Sequence, residues 1–188
     1  MTTAADLLGT WQLMAWEIDG GGRLEQPFGP RPVGLLSYTP DGWMQASIAA
    51  AERHALSGPS TRSSPDVEVA ATARSYFSYA GRWWLETGRD EPFEDNVEVV
   101  CHEVVVALDP AMVGSIQRRH AHLDAGRLTL AAAEEVGTTI RHHRLVWQPA
   151  DAAGRAGEAP QTTSAPAART DPTASTPTAP HNSTGTQR

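Results

Sequence analysis

The sequence predicts an all-β domain, an antiparallel sandwich or barrel with one helix set into it. Three observations carry this. Short runs that suit strands recur along the chain, several alternating in the two-residue period of a half-buried strand. Gly, Pro and Asp turn signals separate them at the spacing of sandwiches and barrels. One stretch alone carries a helix start.

The elements follow in chain order. Residues 10–18, TWQLMAWEI, alternate as a strand. Residues 33–48, VGLLSYTPDGWMQASI, read as a hairpin, because Pro40 pre-sets φ for a turn and Gly42 accepts positive φ. Residues 49–63 are polar and contain Gly and Pro, which predicts a loop over a cavity mouth. Ser64-Pro65-Asp66 then combines an N-cap serine, a proline at the first helical position and an acid in the first turn. Val69, Ala70, Ala73, Tyr76, Phe77 and Ala80 follow at helical spacing, so the predicted helix runs to residue 80. Strands are expected at 82–87, 97–108, 115–123, 127–133 and 138–147.

Composition bounds the partners. The 188 residues carry a net charge of −7, and all fifteen basic residues are arginine. An acidic chain without a basic cluster argues against nucleic acid or an anionic membrane as partner. The single cysteine, Cys101, forms no intramolecular disulfide, which fits a reducing cytoplasm. The first residues show no leader pattern, and no run of apolar residues is long enough to span a bilayer. After Trp147 the composition shifts. Residues 150–188 are mostly Ala, Pro, Thr, Ser and Gly, without Leu, Ile, Val, Phe, Trp or Tyr. Such a segment buries too little apolar surface to offset its ordering entropy, so residues 1–149 are expected to fold and 150–188 to form a disordered tail.

Taken together, several motifs resemble the small bacterial lipocalin-like domain family. They are Gly9-Thr10-Trp11, Tyr38-Thr39-Pro40-Asp41-Gly42 and Tyr79-Ala80-Gly81-Arg82-Trp83. His102 follows, then Asp109-Pro110 with Gly114, Gln117 and Arg119, then Leu128-Thr129-Leu130 and Leu145-Val146-Trp147. The resemblance covers nearly all of residues 6–149. It implies an antiparallel up-and-down barrel with an internal cavity and a capping helix, closed at one end by the Gly-x-Trp tryptophan. A closed barrel also removes edge strands, and about eight strands leave room for side chains or one small ligand.

Alternation assigns the inner face. With Trp11 inside, Leu13, Ala15 and Glu17 share its face. The resemblance turns His102 inward. Gln117 and Arg119 go together on the next strand, and Arg141, His143, Leu145 and Trp147 on the last. The candidate catalytic residues are therefore His102, Gln117 and Arg119. The candidate substrate contacts are Glu17, Tyr38, Trp43, Tyr79, Trp83 and His143. Structural roles compete with these. Arg119 or Arg141 is a cation–π partner for the closing tryptophan in the alternative reading, and Tyr38, Tyr76 and Tyr79 pack between helix and barrel. His120-x-His122 lies beside Arg118 on a solvent-like face, so no metal is expected. Cys101 and His102 point to opposite faces, which disfavours a dyad. No nucleotide-binding or nucleophile-elbow motif is present.

The resemblance implies either a carrier of apolar small molecules or a cofactor-independent cyclase of bacterial natural-product pathways. Arg-, Ala- and Pro-rich usage fits a GC-rich genome, which favours the cyclase, acting on a polyketide-like substrate. Acid/base isomerisation with Glu17 or His102 as base is a further alternative. The expected partner is a hydrophobic small molecule, with no cofactor; a homodimer is allowed.

Overall fold

The computed structural model describes residues 2–88 and 97–150. The chain opens on a one-turn helix, α1 (Ala4–Leu7), held by a reciprocal cap between Thr3 and Asp6. It buries Leu7 completely. Gly9 follows at φ +113°, a conformation a side chain would strain, and turns the chain into β1 (Gly9–Asp19).

Nine antiparallel strands follow among the described residues. β2 (Leu24–Glu25) is a two-residue rung on the end of β1. The others are β3 (Val33–Tyr38), β4 (Trp43–Ala49), β5 (Tyr76–Gly88), β6 (Val97–Ala107), β7 (Ile116–Asp124), β8 (Arg127–Val136) and β9 (Thr139–Pro149). From β3 onward each pairs with the next in sequence, and β9 pairs back onto β1. The barrel is therefore closed, up-and-down and eight-stranded apart from β2. The β3–β4 turn forms as predicted, with Gly42 at φ +82° and its N–H donating to the Thr39 carbonyl at 3.1 Å.

Three expectations need correction. The helix, α2, spans Asp66–Arg74 and stops there. Ser64 does not cap it; its Oγ donates to the Ser60 carbonyl at 2.8 Å and accepts from Gly58 N–H. Tyr76, Phe77 and Ala80 lie on β5, where Tyr76 through Arg82 pair with β4. A short mixed apolar run fits either period, and the β4 edge decides it. None of the residues that line the barrel cavity comes from α2 or from 49–63. Of the three tyrosines, only Tyr76 lies toward the helix side, donating to Ser47 Oγ with Arg53 stacked over its ring.

Two bulges bend the wall, one in β1, where Met14 is the extra residue between Leu13 and Ala15, and one in β6, where Val105 is the extra residue opposite Ala80 and Gly81 of β5. Gly81 is required at the second. A Cβ there would stand 1.8 Å from the Glu103 carbonyl oxygen of β6. The expected tail, 150–188, lies outside the described residues beyond Ala150.

Candidate functional site

The closed end is built around Trp11, which is buried and donates its indole N–H to the Leu7 carbonyl at 2.9 Å. Tyr38 and Trp83 stack beside it in the same core, with ring centroids 4.7 Å apart. The Trp83 indole donates to the Thr39 carbonyl at 3.1 Å. Neither Arg119 nor Arg141 stacks on the closing tryptophan. Arg141 donates to Glu25 Oε2 at 2.8 Å, and Arg119 stays within its own strand.

His102 is wholly buried against this floor. Its Nε2 is 2.9 Å from the Tyr38 hydroxyl and its Nδ1 is 2.7 Å from the Tyr79 hydroxyl. A neutral imidazole has one donor and one acceptor, so one tyrosine donates to it and the other accepts from it. Burial, with a smaller push from the Arg119 cation, lowers the His102 pKa to about 3. Burial raises both tyrosines above the ordinary phenol value. The trio is therefore neutral, and every polar atom in it is satisfied.

Above it lies a cavity of about 410 Å³, within the roughly 300–1,000 Å³ range of small-molecule sites. Leu36, Ile48, Phe77, Leu130 and Leu145 supply apolar walls. Polar groups reach it from four places: Tyr79, the Gln117–Arg119 pair, Glu134 with His143, and Asp109 at the turn before β7. Arg119 Nη2 donates to Gln117 Oε1 at 3.1 Å, and Nη1 donates to the Arg118 carbonyl at 2.9 Å. Gln117 in turn donates to Ser115 Oγ at 2.9 Å. His143 Nε2 and Glu134 Oε2 are 3.0 Å apart. Burial keeps the His143 pKa below its usual value although Glu134 pulls the other way.

Of the nine expected site residues, four line the cavity: Gln117, Arg119, Tyr79 and His143. His102, Tyr38 and Trp83 sit in the core beneath it rather than on its wall. His102 touches the cavity only through Tyr79. Glu17 and Trp43 belong to the outside, which corrects their assignment. The β1 bulge shifts the alternation, so Trp16 faces inward and Glu17 turns out to bind Arg144 at 3.1 Å. Trp43 is exposed and carries Arg82 over its ring at 4.4 Å.

Alternation alone put Trp16 on the outer face, and sequence reading missed Phe77 and Glu134. The first is hidden by the bulge, the second by the helix reading of β5. The third lies beyond residue 133, where the expected strand stopped. Cys101 is buried on the other face of β6 with Arg118 donating toward its sulfur. Among the described residues, no three His, Cys, Asp or Glu side chains gather as metal ligands. No helix among them is long and apolar enough to cross a membrane.

Comparison with known proteins agrees with this architecture. No curated protein and no solved structure matches the chain. Residues 8–150 match the family model described as a lipocalin-like domain. That match runs from the start of β1 to the end of β9, and the chain belongs to the lipocalin-like domain family.

Proposed function

We propose that this barrel is a cofactor-independent cyclase or isomerase for an apolar, polyketide-like substrate, in its sharpest form a pericyclase for an intramolecular Diels–Alder-type ring closure. The lipocalin-like barrel is itself a small-molecule-binding fold. The observation that supports the catalytic reading is the contrast inside the cavity, where apolar walls stand against a braced donor pair, Gln117–Arg119. Apolar walls fold a flexible polyene into a reactive conformer, and such positioning supplies up to roughly 7–11 kcal/mol in the best cases. A donor on a conjugated carbonyl polarises the alkene that accepts the diene. In the cycloaddition two carbon–carbon σ bonds form as two π bonds are consumed, and no proton or electron leaves the substrate.

The alternative, a non-catalytic carrier of a hydrophobic small molecule, draws support from His102. Its imidazole is sealed from the cavity and engaged on both nitrogens, which also removes it as a general base. Glu17, on the outer wall, is removed as a base by position. The two readings separate in one assay. Purified protein is incubated with a linear polyene bearing a conjugated carbonyl, and the rate and stereochemistry of ring closure are followed. Acceleration that Gln117→Ala and Arg119→Ala diminish supports the cyclase. Binding without any change in rate or stereochemical ratio supports the carrier.

A further inference from the structure

We infer that the cavity takes an apolar ligand with an anionic oxygen head, a carboxylate or an ionised enol, seated on Arg119. This rests on the small-molecule reading above and narrows its substrate class.

The first argument is charge. Arg118, Arg141 and Arg144 each reach a glutamate, at 2.8, 2.8 and 3.1 Å. Arg119, the arginine that lines the cavity, meets no carboxylate among the described residues. Its two contacts are uncharged oxygens, the Arg118 carbonyl and Gln117 Oε1. A guanidinium has five N–H donors in a rigid plane, so the rest of the fork stays available for bidentate binding of an oxyanion. A partly desolvated cation gains most from a partner of opposite charge.

The second argument is donor excess. Trp16 and Trp147 both line the cavity, and the indole N–H of each is buried without an acceptor among the described residues. Buried donors of this kind are seldom left unpaired. Neither carboxylate on the same wall accepts from those indoles. Glu134 binds His143, and Asp109 Oδ1 accepts from the Ala111 N–H at 2.9 Å. A ligand that brings acceptor oxygens and negative charge answers both imbalances; an alcohol or an amine does not.

The third is rigidity. Gln117 holds the Arg119 fork, Ser115 holds Gln117, and Ser115 Oγ donates to the Met112 carbonyl at 2.6 Å. The chain of bonds runs to the turn before β7 and fixes the plane in which an oxyanion would sit.

The test uses the full chain and three probes of equal tail length: decanoate, methyl decanoate and decylamine. Binding is read from tryptophan fluorescence, since Trp16 and Trp147 line the cavity. Decanoate should bind tighter than the ester by on the order of tenfold, and the amine weakest. Arg119→Gln should abolish the preference for the acid while leaving the ester within about twofold; Arg119→Lys, which keeps the charge but loses the fork, should retain part of it. Equal binding of acid and ester by the wild-type protein overturns the inference. So does a preference that survives Arg119→Gln in a folded variant, or failure of all three probes to bind. Acid selectivity without any ring closure of a polyene keeps this inference and sinks the cyclase. Ring closure with no acid selectivity does the reverse.

Discussion

The two halves of the barrel interior obey opposite rules. At the closed end, Trp11 and Trp83 donate to backbone carbonyls and the Tyr38–His102–Tyr79 trio is paired within itself. Around the cavity, among the described residues, the Trp16 and Trp147 indole donors lack acceptors and Arg119 lacks a counter-charge. A fully paired buried network rigidifies a fold, and an unpaired one is tolerated where something else completes it. The closed end is therefore where stability should concentrate, and the cavity is where the proposed ligand would sit.

Mutations test that division. The largest effect belongs to neither half but to the wall that joins them. Gly81→Ala drives a methyl into the Glu103 carbonyl, and the loss should exceed about 4 kcal/mol, enough to prevent folding. A soluble variant with wild-type circular dichroism and denaturant midpoint would show that the bulge relaxes. At the floor, Trp11→Ala should cost about 3–5 kcal/mol by leaving a large cavity under α1. Urea titration measures it, and a loss under 1 kcal/mol would move the floor elsewhere.

His102→Phe strands two tyrosine hydroxyls, at about 1–3 kcal/mol each. It should also change the acid response. The folded chain keeps His102 neutral down to about pH 3, whereas the unfolded chain takes up a proton below about pH 6.5. The contribution is fully present above that value and declines as pH falls toward 3. The slope is at most about 1.4 kcal/mol per pH unit. His102→Phe should flatten it, leaving the smaller share of His143, which shifts in the same direction. An unchanged slope would mean that His102 is protonated in the fold.

At the cavity end the signature inverts. Arg119→Gln should leave stability within about 1 kcal/mol, because a cation without a counter-charge contributes little to folding. Its effect belongs to ligand binding. The smallest changes lie outside. Glu17→Gln breaks an exposed pair with Arg144 and Trp43→Ala an exposed contact with Arg82, each worth about 1 kcal/mol or less. Neither should alter probe affinity; if Glu17→Gln does, the β1 bulge is misplaced.

Much of the fold was legible. Strand periodicity, the Thr39–Gly42 turn and Gly9 ahead of Trp11 describe the barrel through local rules, and those rules held because neighbouring strands pair in sequence order. Which residues face inward was legible where alternation ran unbroken, as on β7 and β9, and Gln117, Arg119 and His143 line the cavity. It failed at Glu17, because one extra residue at Met14 moves every later side chain of β1 to the other face. It failed at Phe77, because a run with both periods takes its conformation from the strand beside it.

The sequence by itself determined the class of the fold, its closing tryptophan and the polar residues on the regular strands. These depend on spacing along the chain, which local sterics and turn chemistry read directly. The tertiary structure alone decided which end is satisfied and which is open. It buried His102 between two tyrosines from β3 and β5. It turned Trp16 inward and left Arg119 without a counter-charge among the described residues. Those outcomes depend on bulges and on contacts between strands far apart in the chain, and no local pattern encodes either.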